Sequence, residues 1–92
     1  MSGTGQVKMY YVYVLKSCRD KLFYIGFTTN IQDRINCHDK GAVPATKYRR
    51  PLELIFYEAF ISKKDAKRRE DYLKTTKGKT TLRIMLKEYS LS

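Results

Sequence analysis

Acidic residues are scarce in this chain. Against 19 lysines and arginines stand 9 aspartates and glutamates, which leaves a net charge of +10 over 92 residues. That imbalance points to a polyanionic partner, nucleic acid first and an anionic membrane second. Histidine occurs once, at His38, and cysteine twice, at Cys18 and Cys37, with no C-x-x-C pair. A structural zinc site needs about four closely spaced Cys or His ligands, so that chemistry is excluded. Two cysteines make no disulfide framework, and a reducing cytoplasm is the expected setting. Long apolar runs are missing too. Met9–Leu15 is too short to span a membrane and has no small-residue cleavage site after it, so a soluble protein without membrane association is expected. The length allows one domain, with about 60–65% of the unfolded surface buried and no room for a separate cofactor domain. What is present is enough apolar character to fold: 42% of residues are hydrophobic, too many for a disordered basic tail.

The order of elements reads β-β-α-β-α-α, an α+β domain over residues 9–92 after a flexible lead-in at residues 1–8. Met9–Leu15 is rich in aromatic and β-branched residues and reads as a strand. Its apolar residues fall on both parities, so both faces are expected to be covered. Leu22–Phe27 and Leu52–Phe60 are two further strands. Thr28-Thr29-Asn30 offers N-caps for a helix over 31–39, and Ser62-Lys63-Lys64-Asp65 opens another to about Lys74. Gly78 reads as punctuation before a last helix in which Leu82, Met85, Leu86 and Tyr89 share one face.

Basic charge concentrates late in the chain: residues 47–92 hold 13 basic and 6 acidic groups, against 6 and 3 in residues 1–46. Lys47, Arg49 and Arg50 in the loop, and Lys79, Arg83 and Lys87 at helical spacing, are candidate phosphate contacts. If Lys16 pairs with Lys21 across the first hairpin, Tyr13 lies opposite Tyr24 and the two phenols share a face. Arg34 and His38 share a face of the first helix. Ile31 and Ile35 are expected to bury toward the sheet, which would hold Arg34 at the sheet edge near Tyr24. Gly26 would permit close approach there. His38 could instead cap the helix end, where the dipole favours an imidazolium. Glu70 aligns with Ala66 and Leu73 and is drawn inward. A glutamate in that position pairs with a cation or binds a hard metal.

These residues, in this order, match a known pattern. Tyr11-Val12-Tyr13, Tyr24-Ile25-Gly26, Arg34, His38 and Glu70 resemble the GIY-YIG endonuclease family over about Met9 to Leu82. The phrases Tyr10–Ser17, Tyr24–Asn30, Thr46–Pro51 and Tyr72–Lys74 are similar to its small single-domain bacterial members, related to the nuclease module of the excision-repair nuclease. The resemblance implies a three-stranded antiparallel sheet flanked by helices. It implies hydrolysis of DNA, with RNA as the alternative polymer, to a 5′-phosphate and a 3′-hydroxyl. One divalent metal, Mg²⁺ or Mn²⁺, is implied as cofactor. It gives Tyr13, Tyr24, Arg34 and His38 to catalysis and Glu70 to the metal.

The chemistry agrees with those assignments. One inward carboxylate suits a single hydrated ion, and the planar guanidinium of Arg34 suits a phosphate. Either Tyr13 or His38 could take the proton. A free tyrosine titrates near 10, so Arg34 and the metal would have to lower it for Tyr13 to serve. The first motif is Tyr-Val-Tyr rather than Gly-Ile-Tyr. Lys47 is the only stand-in for a further basic residue after the helix, and with no asparagine after Asn36, Lys77 is the stand-in for a late family asparagine. A lone module of this size is expected to be a monomer that selects DNA by structure; a double-strand break would need a dimer or two visits. The competing reading is a basic nucleic-acid-binding module that does not cut.

Overall fold

The computed structural model of the chain describes residues 7–91. Most of the expected lead-in, residues 1–6, lies outside them. Three strands form one antiparallel sheet: β1 (Tyr10–Ser17), β2 (Phe23–Thr28) and β3 (Leu52–Phe60), in the order β2-β1-β3. The helices are α1 (Ile31–Asp39), α2 (Lys63–Leu73), α3 (Thr76–Met85) and α4 (Lys87–Leu91). No helix among the described residues is long and apolar enough to cross a membrane.

β1 is the central strand and both of its faces are covered, which is why its apolar residues occur on both parities. Val12 and Val14 face α2 and α3 and form the main core with Ile25, Ala66, Leu73 and Leu82. Tyr13, Leu15 and Ser17 face the other way and are equally buried, beneath α1 and the loop that follows it. That loop, residues 40–51, is pinned to the hairpin. Ser17 Oγ donates to the Arg49 carbonyl (2.6 Å), Cys18 N–H donates to the Pro51 carbonyl (2.8 Å), and Arg49 Nε pairs with Asp20 (2.7 Å).

The first hairpin differs from the expected register. Lys16 pairs with Phe23, not Lys21, so Tyr13 stands opposite Gly26 and Tyr24 opposite Leu15. The turn is two residues longer because Ser17 Oγ accepts from the N–H of Arg19 and Asp20, while Asp20 accepts from Leu22 N–H. Lys21 takes the left-handed conformation, φ 65°. A shift of two preserves the alternation, so the tyrosines still share a face.

Asn30 and Ser62 cap α1 and α2 as expected, their side chains accepting from Asp33 and Asp65 N–H. The last segment is two helices rather than one. α3 ends at Met85, and α4 turns so that Tyr89 donates to Glu53 (2.8 Å) and meets the Lys16 ammonium on its ring. Met85 is consequently exposed and Lys87 leaves the stripe of Lys79 and Arg83.

Gly78 does not interrupt a helix. It lies in the first turn of α3, where its N–H donates to Thr75 Oγ1 (3.0 Å). Here α3 crosses the end of α2 so closely that a Cβ would collide with the Tyr72 carbonyl and lie 2.5 Å from Leu73 Cα. Backbone cannot swing aside as a side chain can. Gly78→Ala is therefore expected to destabilise the fold by about 1–3 kcal/mol despite alanine's better helix propensity. Urea unfolding measures this; an unchanged or higher midpoint would contradict the close crossing.

Candidate active site

Four of the expected residues meet on the face of the sheet covered by α1. Tyr13 projects from β1 across β2, and its ring occupies the space above Gly26, where a Cβ would sit 2.7 Å from Tyr13 Cε2. The glycine thus makes room for a tyrosine ring rather than for the helix. Tyr24 lies diagonally beside it, ring centroids 6.3 Å apart. From α1, Arg34 Nε donates to Tyr13 Oη (3.3 Å), and His38 Nε2 lies 2.8 Å from the same oxygen. His38 also packs edge-on against Tyr24, centroids 5.2 Å apart.

His38 is the fully buried residue of α1, while Ile31 and Ile35 are only half-buried, contrary to the expected inward stripe. Its Nδ1 lies 2.7 Å from Thr46 Oγ1. Arg34 can only donate, so Tyr13 accepts from it. The other two bonds follow the histidine tautomer: with its proton on Nδ1, His38 donates to Thr46 and accepts from Tyr13, and with its proton on Nε2 both directions reverse. Burial, followed by the Arg34 charge and opposed by Asp39, pushes the imidazole down to about 4. His38 is therefore a neutral imidazole and not an imidazolium capping the helix end.

Burial also raises the Tyr13 phenol and outweighs the Arg34 hydrogen bond; the charges of Tyr24 and Glu70 push the same way. Arg34 does not make Tyr13 a phenolate in this arrangement.

The buried imidazole has a consequence for stability. In the unfolded chain His38 titrates near 6.5, and in the folded chain at about 4. As pH falls, the unfolded state takes up the proton first. Stability is undiminished above 6.5 and is lost between 6.5 and 4, by about 3 kcal/mol in all. Denaturant midpoints at pH 7.5 and 5.0 check this: the wild type is expected to lose stability, and His38→Gln to stay level. A wild type that stays level would place the imidazole in contact with water.

Glu70 approaches from the opposite side of the sheet. With Ala66 and Leu73 it forms the inward face of α2, and it is only 6% exposed. Its neighbour Lys67 lies over the ring of Phe27 in the edge strand β2, and the Glu70 charge acts on the Tyr13 phenol. Burial pushes the carboxyl up, but Lys67 Nζ (2.8 Å) and Lys74 Nζ (3.0 Å) prevail and hold it below the usual range. Both lysine side chains are about half exposed, 48% and 53%, so each can yield its carboxylate oxygen to another cation. No group of three His, Cys, Asp or Glu side chains forms among the described residues. A lone inward carboxylate of this kind could hold a hydrated divalent ion.

The expected phosphate contacts divide. Lys47 and Arg50 line an open cleft, with Arg50 Nε donating to the Lys47 carbonyl and Nη1 to the Asp39 carbonyl. Arg49 is turned inward to Asp20 and the carbonyls of Leu22 and Phe23, so it is a strut between loop and hairpin rather than a phosphate contact. Lys79 and Arg83 line a second cavity, joined by Lys21; Lys87 does not line it. Lys77, the expected stand-in for the late asparagine, is exposed in the first turn of α3. Sequence reasoning missed Thr46, which bonds His38 Nδ1, and the hairpin cations Arg19 and Lys21. Two cations at a turn tip were a readable signal; the Thr46–His38 contact, made across a loop, was not.

The chain is similar to known proteins. Residues 9–83 match the family described as the GIY-YIG catalytic domain. The UPF0213 protein SH2523 of Staphylococcus haemolyticus is 42% identical over 77 residues, covering 83% of this chain and 93% of its own. The UPF0213 protein YazA of Bacillus subtilis is 40% identical over 83 residues, 88% of this chain and 83% of its own. The solution structure of the UPF0213 protein BH0048 from Bacillus halodurans superposes with a TM-score of 0.54 at 35% identity, over 84% of each chain.

Proposed function

The chain belongs to the GIY-YIG catalytic domain family, a family of nucleases, and from that premise we propose that it is a metal-dependent DNA endonuclease that hydrolyses phosphodiesters to a 5′-phosphate and a 3′-hydroxyl. The observation that carries the reading is the Tyr13 phenol held between a guanidinium that only donates and a neutral buried imidazole (3.3 and 2.8 Å). In the tautomer with its proton on Nδ1, the imidazole can take a proton from the phenol. Tyr13 Oη takes the proton of the attacking water as its own proton moves to His38 Nε2. No free phenolate is needed, so the raised phenol is no obstacle. The imidazolium that forms sits beside the Thr46 hydroxyl.

Arg34 uses Nε to fix Tyr13, which leaves its terminal nitrogens for the non-bridging oxygens of the phosphate. Tyr24 packs against both Tyr13 and His38 and limits water around them. Glu70 would hold the divalent ion, Mg²⁺ or Mn²⁺, which supplies charge stabilisation for the phosphate and the departing 3′-oxygen. Lys21, Lys79 and Arg83 would hold the polymer backbone away from the scissile bond. We further propose that residues 9–92 act as a single cytoplasmic domain, monomeric when cutting one strand.

The test is cleavage of single-stranded, duplex, flap and four-way-junction DNA, and of a matched RNA, with Mg²⁺ or Mn²⁺. Glu70→Ala is prepared identically. Metal-dependent products from the wild type alone are expected. Intact binding with no products from either protein would make the chain a binding module instead.

A further inference from the structure

We propose that the cleft around Tyr48 is a stacking site for one unpaired base of the substrate. This deepens the nuclease reading and rests on it for the identity of the polymer. Tyr48 is 75% exposed, the most open of the tyrosines among the exposed large side chains. It lines a cleft of about 560 Å³ with Arg19, Lys47, Arg50, Pro51 and Asp39. That volume is in the range of sites that take a small ligand.

Three cations, Arg19, Lys47 and Arg50, line the cleft with the ring, and one acid, Asp39, opposes them. Lys47 Nζ lies 5.4 Å from the ring centroid, and Arg19 Nη1 donates to the Tyr48 carbonyl at 3.4 Å. Arg50 is fixed by two backbone carbonyls. An exposed phenol framed by positive charge offers a π-face for any base and contacts for the phosphates on either side of it. Bases inside a duplex are already stacked above and below and have no free face to present. The occupant is therefore an unpaired nucleotide, as in a single strand, flap or gap.

The cleft also has the right neighbours. Asp39 follows His38 and Lys47 follows Thr46, so two of its walls are one residue along the chain from the bonded pair that orients the imidazole. A nucleotide stacked on Tyr48 would place the adjoining backbone on the α1 side of the sheet, where Tyr13 and Arg34 lie.

The experiment measures binding without metal, so that nothing is cut. Single-stranded, flap and fully paired DNA, each carrying one 2-aminopurine, are titrated with wild type, Tyr48→Ala and Tyr48→Phe. Melting curves check that the variants are folded; the side chain is exposed, and both are expected to melt with the wild type. Tyr48→Ala is expected to bind single strand and flap about tenfold more weakly, with duplex affinity changed by less than about twofold. Tyr48→Phe keeps the ring and is expected to match the wild type. The 2-aminopurine signal of the unpaired site is expected to be quenched by wild type and Tyr48→Phe but not by Tyr48→Ala. Equal losses on duplex and unpaired DNA, or no loss on either, would overturn the stacking site. The two readings fail separately. Selective loss of unpaired DNA in a protein that never cuts would retain the stacking site and remove the nuclease. Metal-dependent cutting indifferent to Tyr48 would do the reverse.

Discussion

Tyr13→Phe is expected to slow cleavage about 10³-fold, within the range that a positioned acid–base group contributes. The substitution removes one oxygen and leaves the ring in place above Gly26. That oxygen accepts from Arg34 at 3.3 Å and lies 2.8 Å from His38 Nε2. On the proposed mechanism the water then has no route for its proton into the imidazole, and Arg34 loses the group that holds Nε. The buried His38 Nε2 is also left without a partner, at a cost of about 1–3 kcal/mol of stability. Single-turnover rates at saturating DNA measure the first effect and urea unfolding the second. Metal-free DNA affinity is expected to stay within about twofold, because Lys21, Lys79 and Arg83, which would hold the polymer backbone, are unchanged. A variant that cuts within about tenfold of the wild type would take Tyr13 out of the reaction.

Glu70→Ala is expected to abolish metal-dependent cleavage, a loss of at least about 10³-fold if the ion contributes several kcal/mol to the transition state. It removes the inward carboxylate of α2 and releases Lys67 and Lys74 from their ion pairs. The protein gains one positive charge, so metal-free DNA binding is expected to be equal or tighter. A readout independent of cutting is the melting temperature with and without Mn²⁺. A ligand bound only by the native state stabilises it by about 2.7 kcal/mol at one hundred times its dissociation constant. The wild type is expected to gain melting temperature and Glu70→Ala to gain none. An equal gain in both would place the ion elsewhere. Loss of DNA binding together with activity would show that Glu70 supports the fold rather than the metal.

Much of this arrangement was legible in the chain itself. Aromatic and β-branched residues marked the first strand, and apolar residues on both parities marked both of its faces as covered. The caps at Asn30 and Ser62, and the alignment of Ala66, Glu70 and Leu73, are local properties set by helix and strand geometry. They needed no knowledge of distant partners, and neither did the resemblance of the ordered motif residues to a nuclease family.

Other features depended on contacts between segments far apart in sequence. The hairpin register was decided by Ser17 and Asp20 bonding inside the turn and by Arg49 reaching across from residue 49. The role of Arg49 as a strut, the break between α3 and α4, and the need for glycine at position 78 all follow from packing that has no local signature. The protonation of Tyr13 and His38 is of the same kind. Composition assigns both residues ordinary titration behaviour. Only burial and the Arg34 charge hold the imidazole neutral, and only packing sets it between the phenol and the Thr46 hydroxyl. Local pattern determined which residues could take part; desolvation and hydrogen bonding, which exist only once the segments pack together, decided how each one is held.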